Sequence, residues 1–307
     1  MAIRHFLANR KVLILVFSFF LLSPNYLTAS QNRSFTTTID SSVLLYQIEL
    51  AKDSFLLHEP VRVELWLKNT SDRAVIPKFR LFSGWGVQDS SGKLYPASVP
   101  EGYRASTTLN PGDSNGGVIS LDQYGIPYEL NKFDTRYFPE GRYSLSYWRF
   151  GDSIPPLIFT VVKPQGDEVE ALELYLKSFP DVKGENVVKL PREEFKKHYK
   201  ERMTALMQVV DSYPNSAYAE ASLSLAASFA WIVLKDKELS HRLYLRLLNE
   251  YSDPNGYALK LVENYYVNKK DSKGFRGDLE NIIKNSSDTN VVVRAKRRLK
   301  ELDSEMW

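Results

Sequence analysis

The sequence predicts a two-domain, β plus α chain, in which an antiparallel β-sandwich is followed by an array of α-helical hairpins. Three observations carry that prediction. From Val43 to Lys163 apolar and polar residues alternate in period two. Around Lys163-Pro-Gln-Gly166 the period changes to three and four. Beyond that point one short pattern recurs at intervals in the mid-thirties. The boundaries that follow are 1–30 for a signal peptide, 31–42 for a disordered or linker segment, 43–165 for the sandwich and 166–307 for the helical repeats.

The first element is the leader. Arg4, Arg10 and Lys11 precede an unbroken apolar run from Val12 to Leu22, and Ser23-Pro24-Asn25 then leads to the small residues Thr28-Ala29-Ser30. A basic start, a short apolar stretch and small residues before a cut site are the marks of an export signal, with cleavage after Ala29 or Ser30. The run is shorter than the roughly 20 apolar residues a spanning helix needs. The expected location is therefore periplasmic or secreted. The chain has no cysteine, which excludes a lipidated cysteine anchor and any disulfide. Of its 40 Lys+Arg, three lie in the leader, so the remaining 37 balance 37 Asp+Glu. That balance argues against a nucleic-acid partner, which needs excess positive charge.

The strands come next. Leu44, Tyr46, Ile48 and Leu50 share one face, and Val61, Val63, Leu65 and Leu67 another, with Arg62, Glu64, Trp66 and Lys68 opposite. Asn69-Thr-Ser-Asp72 makes a turn. Further strands are expected over 74–82, 86–89, 93–96, 117–122, 142–150 and 157–163, separated by Asp89-Ser-Ser-Gly92, Asn110-Pro-Gly-Asp113 and Phe138-Pro-Glu-Gly141. The stretch Glu59-Pro-Val61 with Val63, Leu65, Leu67 and Asn69 resembles the opening of bacterial immunoglobulin-like domains. Among these is the family resembling a Bacillus-type intracellular proteinase inhibitor.

The helices follow. Asp167 and Glu170 have the spacing of a capping box, and Val169, Leu172, Leu176 and Phe179 line one face. Pro191 opens a second helix whose first turn holds Glu193 and Glu194, where the helix dipole favours them. Val209-Val-Asp-Ser-Tyr-Pro-Asn-Ser216 is echoed at Leu247-Leu-Asn-Glu-Tyr-Ser-Asp-Pro-Asn255 and again, more weakly, at Ile282-Ile-Lys-Asn-Ser-Ser-Asp-Thr-Asn290. These copies start at 209, 247 and 282, intervals of 38 and 35. The pattern, with Tyr213-Pro-Asn-Ser-Ala-Tyr-Ala-Glu220 and small residues in the helix after it, resembles the tetratricopeptide class, especially its exported bacterial members. The resemblance implies three hairpins, over 167–212, 216–251 and 255–285, and a capping helix over 289–303. Gly274 and Gly277 depart from the pattern in the last repeat.

Chemistry is sparse. His58, His198 and His241 lie far apart in sequence, with none at metal-ligand spacing, so His58 reads as a turn residue and the other two as helix surface. There is no nucleophile elbow and no glycine-rich phosphate loop. Asp113–Gly117 lacks the carboxylates of a calcium loop and reads as a plain turn. The basic run Arg294, Lys296, Arg297, Arg298 and Lys300 reads as a solvated capping face. No cofactor or metal is implied. Aromatic residues are the one enrichment. Trp85, Tyr95, Tyr103, Tyr124, Tyr128 and Tyr137 fall in or beside sandwich turns, and Trp66, Trp148 and Phe150 on its outer face. Such rings either pack between domains or meet a partner. The candidate partner-binding residues are Trp85 and Tyr103 in the first domain and Tyr218, Trp231, Tyr257 and Tyr265 on the helices. The function expected is binding or scaffolding of another envelope or secreted protein or peptide. The alternative is a ligand- or protease-binding sandwich with a helical spacer.

Overall fold

The structure is a computed structural model and describes residues 34–39, 43–76, 85–96, 108–121, 138–147, 156–179, 191–253 and 256–304. The chain divides into a unit of strands that closes at Val162 and a unit of helices that opens at Lys163. The division falls where the hydrophobic period changes.

Nine strands are described in the first unit: β1 (Ser34–Ile39), β2 (Leu44–Leu50), β3 (Ser54–Leu56), β4 (Arg62–Asn69), β5 (Trp85–Asp89), β6 (Leu94–Pro96), β7 (Ser114–Ser120), β8 (Gly141–Tyr147) and β9 (Leu157–Val162). They form two sheets, in the orders β1-β2-β4-β7 and β3-β9-β8-β5-β6. Alternation places Leu44, Ile48 and Leu50 of β2 and Val63 and Leu67 of β4 in one buried cluster. Val87, Tyr143, Leu145, Leu157, Phe159 and Val161 join them from the second sheet. Each such side chain, fully withdrawn from water, stabilises the fold by roughly 2 kcal/mol. Around Phe138 the core is aromatic: its ring lies 5.7 Å from Tyr95, 5.0 Å from Tyr143 and 5.5 Å from Phe159. Tyr143 sends its hydroxyl back to the Pro139 carbonyl at 2.6 Å. Burial pushes that phenol up to about 12, so it remains a donor.

Several expectations need correction here. The 31–42 segment is not all linker, because Ser34–Ile39 pairs antiparallel along the length of β2. Three consecutive threonines hid that strand from a hydropathy reading, although threonine is β-branched and suits a pleated surface. The second sheet is mixed rather than antiparallel, since β3 runs parallel to β9. Strand 74–82 reduces, among the described residues, to a bridge between Val75 and Leu109. The rest of it, together with 148–150, lies outside the described residues. Tyr95 is core rather than a loop aromatic. Asn69 is fully buried and works as more than a turn residue. Its amide donates to the carbonyls of Arg73 and Leu109 at 2.7 and 2.9 Å, and its Oδ1 accepts from Ser71.

The helical unit contains α1 (Asp167–Lys177), α2 (Arg192–Ser212), α3 (Ala219–Phe229), α4 (Lys237–Glu250), α5 (Tyr257–Lys269), α6 (Ser272–Asn285) and α7 (Thr289–Asp303). A π-helical turn, Ala230–Leu234, extends α3. Each helix packs on the next in sequence, and α4 also meets α6. The predicted capping box is absent. Gly166, at φ 58°, occupies the N-cap of α1 without a side-chain bond, and Asp167 is already inside the helix. A positive φ is costly for any residue with a Cβ, so glycine takes the position. Glu170 accepts instead from the Tyr213 hydroxyl, and Glu168 from the Ala217 N–H.

Candidate functional site

A polar cluster joins α4, α5 and α6. Leu243, Leu247 and Leu248 bury one side of α4, and the same turn of helix carries His241 inward, leaving it 9% exposed. His241 is therefore not helix surface, as its charged neighbours in sequence had implied. Its ring stacks on Tyr265 at 4.0 Å and 11°, and stands edge-on to Tyr266 at 5.1 Å. Its Nε2 lies 2.9 Å from Asp278 Oδ2, which also accepts the Tyr266 hydroxyl at 2.7 Å. A carboxylate only accepts, so Nε2 carries the proton. Burial, followed by the bond to Asp278, raises the Tyr266 phenol above its ordinary value and keeps it a donor. Tyr265 donates to Glu238 from the other side, and Lys269 reaches both Glu238 and the Tyr265 oxygen.

This arrangement orients the imidazole through Asp278 and the two flanking tyrosine rings. His241 and Asp278 link α4 to α6, and the phenols of Tyr265 and Tyr266 on α5 are directed at Glu238 and Asp278. Among the described residues, no group of three or more His, Cys, Asp or Glu could hold a metal ion.

A second buried charge lies on α2. The Arg202 guanidinium lies against the rings of Tyr199 and Phe229, at 4.6 and 4.8 Å from their centres, and its Nε donates to the Ser178 carbonyl. Desolvation draws its pKa down, while Tyr199 opposes the shift. Arg202 shares the buried face of α2 with Leu206, Val209 and Val210.

The predicted partner-binding residues separate by burial. Tyr218 is fully buried against Tyr175, with rings 5.5 Å apart, and Tyr265 is buried against His241. Both are packing residues and offer no surface to a partner. Tyr257 is 57% exposed, with its ring edge-on to Tyr244 at 6.4 Å. Trp231 is half-buried in the π-turn, with Lys237 Nζ 5.6 Å above its ring. Trp85 lies on β5, paired with Tyr147 of β8. Tyr103 lies outside the described residues, as do Tyr124, Tyr128 and Tyr137.

No family is shown. No protein-family model matches the chain, and no curated protein sequence matches it significantly. Among the described residues no helix is long and apolar enough to cross a membrane.

Three of the five basic residues in the run on α7 make internal contacts. Arg298 bridges Glu263 and Glu301, Arg297 pairs with Glu301, and Arg294 donates to the Asp253 carbonyl. Asp253 was missed in sequence because it resembles an ordinary turn aspartate. It is buried, and its carboxylate accepts the N–H groups of Ala258 and Leu259 at the start of α5.

Proposed function

We propose that this is an exported, non-enzymatic protein that binds another envelope or secreted protein through its helical unit, with the strand unit folded as an immunoglobulin-like sandwich. The observation that carries the reading is the recurrence of one local geometry at the sequence repeat. At the end of α2, α4 and α6 the N–H groups of Tyr213, Tyr251 and Ser286 each donate to the carbonyl of the first residue of the apolar pair, Val209, Leu247 and Ile282. All three bonds are 2.9 Å. Contacts between successive hairpins span 35 to 37 residues: Arg246 pairs with Asp211, Tyr251 donates to the Pro214 carbonyl, and Arg298 pairs with Glu263. A stack of similar units in which each packs mainly on its neighbours supports a tetratricopeptide-like array. Such arrays expose extended surface to partner segments. For the strand unit, the Tyr143–Pro139 bond at the start of β8 supports the immunoglobulin-like reading, where a tyrosine commonly ties a strand start to upstream backbone.

Tyr257 is the contact residue favoured, being the candidate ring that is both on a helix and mostly exposed. A photo-crosslinking amino acid at position 257 is expected to capture one specific envelope protein, and Tyr257→Ala to weaken that complex about tenfold, more than 1 kcal/mol. Its melting temperature should not move. Tyr218→Ala is the contrasting variant and is expected to cost about 3–5 kcal/mol of stability. Equal capture from a site on β8, or full binding by Tyr257→Ala, overturns the reading.

A further inference from the structure

Two turns of the helical unit are built alike and lie side by side. The first joins the π-turn to α4 and the second joins α5 to α6. Lys235 and Lys270 both take left-handed backbone conformations, with φ of 60° and 56°. Asp236 and Asp271 follow them and cap the next helices, accepting the N–H groups of Leu239 at 2.9 Å and Gly274 at 2.8 Å. Glu238, just after the first turn, accepts from Tyr265 and Lys269, just before the second. The two tips therefore share one edge of the stack.

That edge has a distinct composition. Ile232 is 58% exposed and Val267, its counterpart, is 51% exposed. Lys235, Lys237, Lys269, Lys270 and Lys273 lie on the two turns and the adjoining helix ends, and all are exposed. The acidic groups nearby are committed: Asp236 and Asp271 to helix caps, Glu238 to Lys269 and Tyr265. Among the described residues no carboxylate pairs with Lys235, Lys270 or Lys273. Trp231, next to Ile232 in the chain, is half-buried beneath the Lys237 ammonium.

We propose that this edge docks on a bilayer surface bearing anionic head groups. Aliphatic side chains held out in water at turn tips gain by entering an apolar medium, and lysine stems can lie along the same boundary while their ammonium groups stay among the phosphates. A tryptophan next to Ile232 suits the interfacial layer, where indole rings collect. An acidic protein would satisfy the lysines but leave Ile232 and Val267 to chance, so the lipid surface accounts for more of the edge. The docking is peripheral and does not depend on the protein-binding reading above.

The test uses the chain from Gln31 to Trp307, which keeps every described element and removes the apolar leader. It is mixed with vesicles of phosphatidylcholine alone or of phosphatidylcholine with phosphatidylglycerol, and sedimented. Binding to the anionic vesicles only is expected, weakening as salt is raised. Combined Lys235→Gln, Lys270→Gln and Lys273→Gln should reduce it about a hundredfold, at roughly fivefold per lysine near a charged surface. Ile232→Ser with Val267→Ser should reduce it further. A lipid-dependent blue shift of tryptophan emission should vanish in Trp231→Phe. Circular dichroism checks that each variant is folded. No binding to anionic vesicles, binding that ignores all of these changes, or retention on polyglutamate with no vesicle binding each overturns the proposal.

Discussion

Two carboxylates in the helical unit titrate in opposite senses, and their surroundings explain why. Glu238 is held below its ordinary value of 4.5, first by the Lys269 hydrogen bond and then by Tyr265. The folded chain keeps it ionised at a lower pH than the unfolded chain does. Its stabilising contribution is therefore present above the ordinary carboxylate range and lost as pH falls through the depressed folded value. Asp253 behaves in reverse. Burial raises its pKa above the ordinary 3.8 even though Leu259 and Ala258 donate to it. The folded chain takes up that proton at a higher pH than the unfolded chain, so ionised Asp253 costs stability at neutral pH and the cost fades in acid. Melting curves from neutrality to about pH 3 should show this as two opposite slopes. Relative to the parent, Glu238→Gln is expected to gain stability as pH falls, and Asp253→Asn to lose it. Slopes of the same sign would show that these contacts do not govern the acid limb.

At the scale of elements, the two glycines of α6 serve different ends. A Cβ built on Gly274 would come within 2.5 Å of both Asp271 Oδ2 and Tyr266 Cε1, so the cap of α6 and the ring behind it close over bare backbone. A Cβ on Gly277 meets nothing within 4 Å. Gly277→Ala is therefore expected to raise stability by about 1 kcal/mol through helix propensity alone. Gly274→Ala, with the same intrinsic gain, should lower stability by about 1–3 kcal/mol through overpacking. Chemical denaturation of the two variants checks both values, and a stabilising Gly274→Ala would refute the close approach. In sequence both glycines read as lapses in the repeat, because a contact between a helix start and a ring eight residues earlier has no periodic signature. What was legible is the part written in period and punctuation. The helix starts after Pro191 and before Thr289 follow from turn residues, and the core faces of β2 and β4 from alternation. The site was less legible: Tyr218, Tyr257 and Tyr265 all fall at helical spacings, and only packing decides which ring turns inward. His241 misled for the same reason, since polar neighbours along the chain said nothing of Asp278, which lies 37 residues away.

On the scale of the whole molecule, stability in the helical unit is handed from one helix to the next, so its ends matter more than its middle. The last helix, α7, buries Val291 and Ala295 and ties itself to α5 through Arg298–Glu263. A chain stopped before Thr289 leaves the inward faces of α5 and α6 open to water. Hydrogen exchange should then show α5 and α6 losing protection by about tenfold or more, with α2 and the strand unit unchanged. Uniform loss across both units would mean that the chain unfolds as a single cooperative block.

The parallel pairing of β3 with β9 sets an order on how the protein is made. Ser54–Leu56 waits for Thr160–Val162, so the second sheet lacks its edge until more than a hundred residues of chain have followed. Closing so long a loop is slow. A ribosome delivering the chain from its N-terminal end must therefore release nearly the whole strand unit before that sheet can lock. The helices, each packed on the next in sequence, need no such wait.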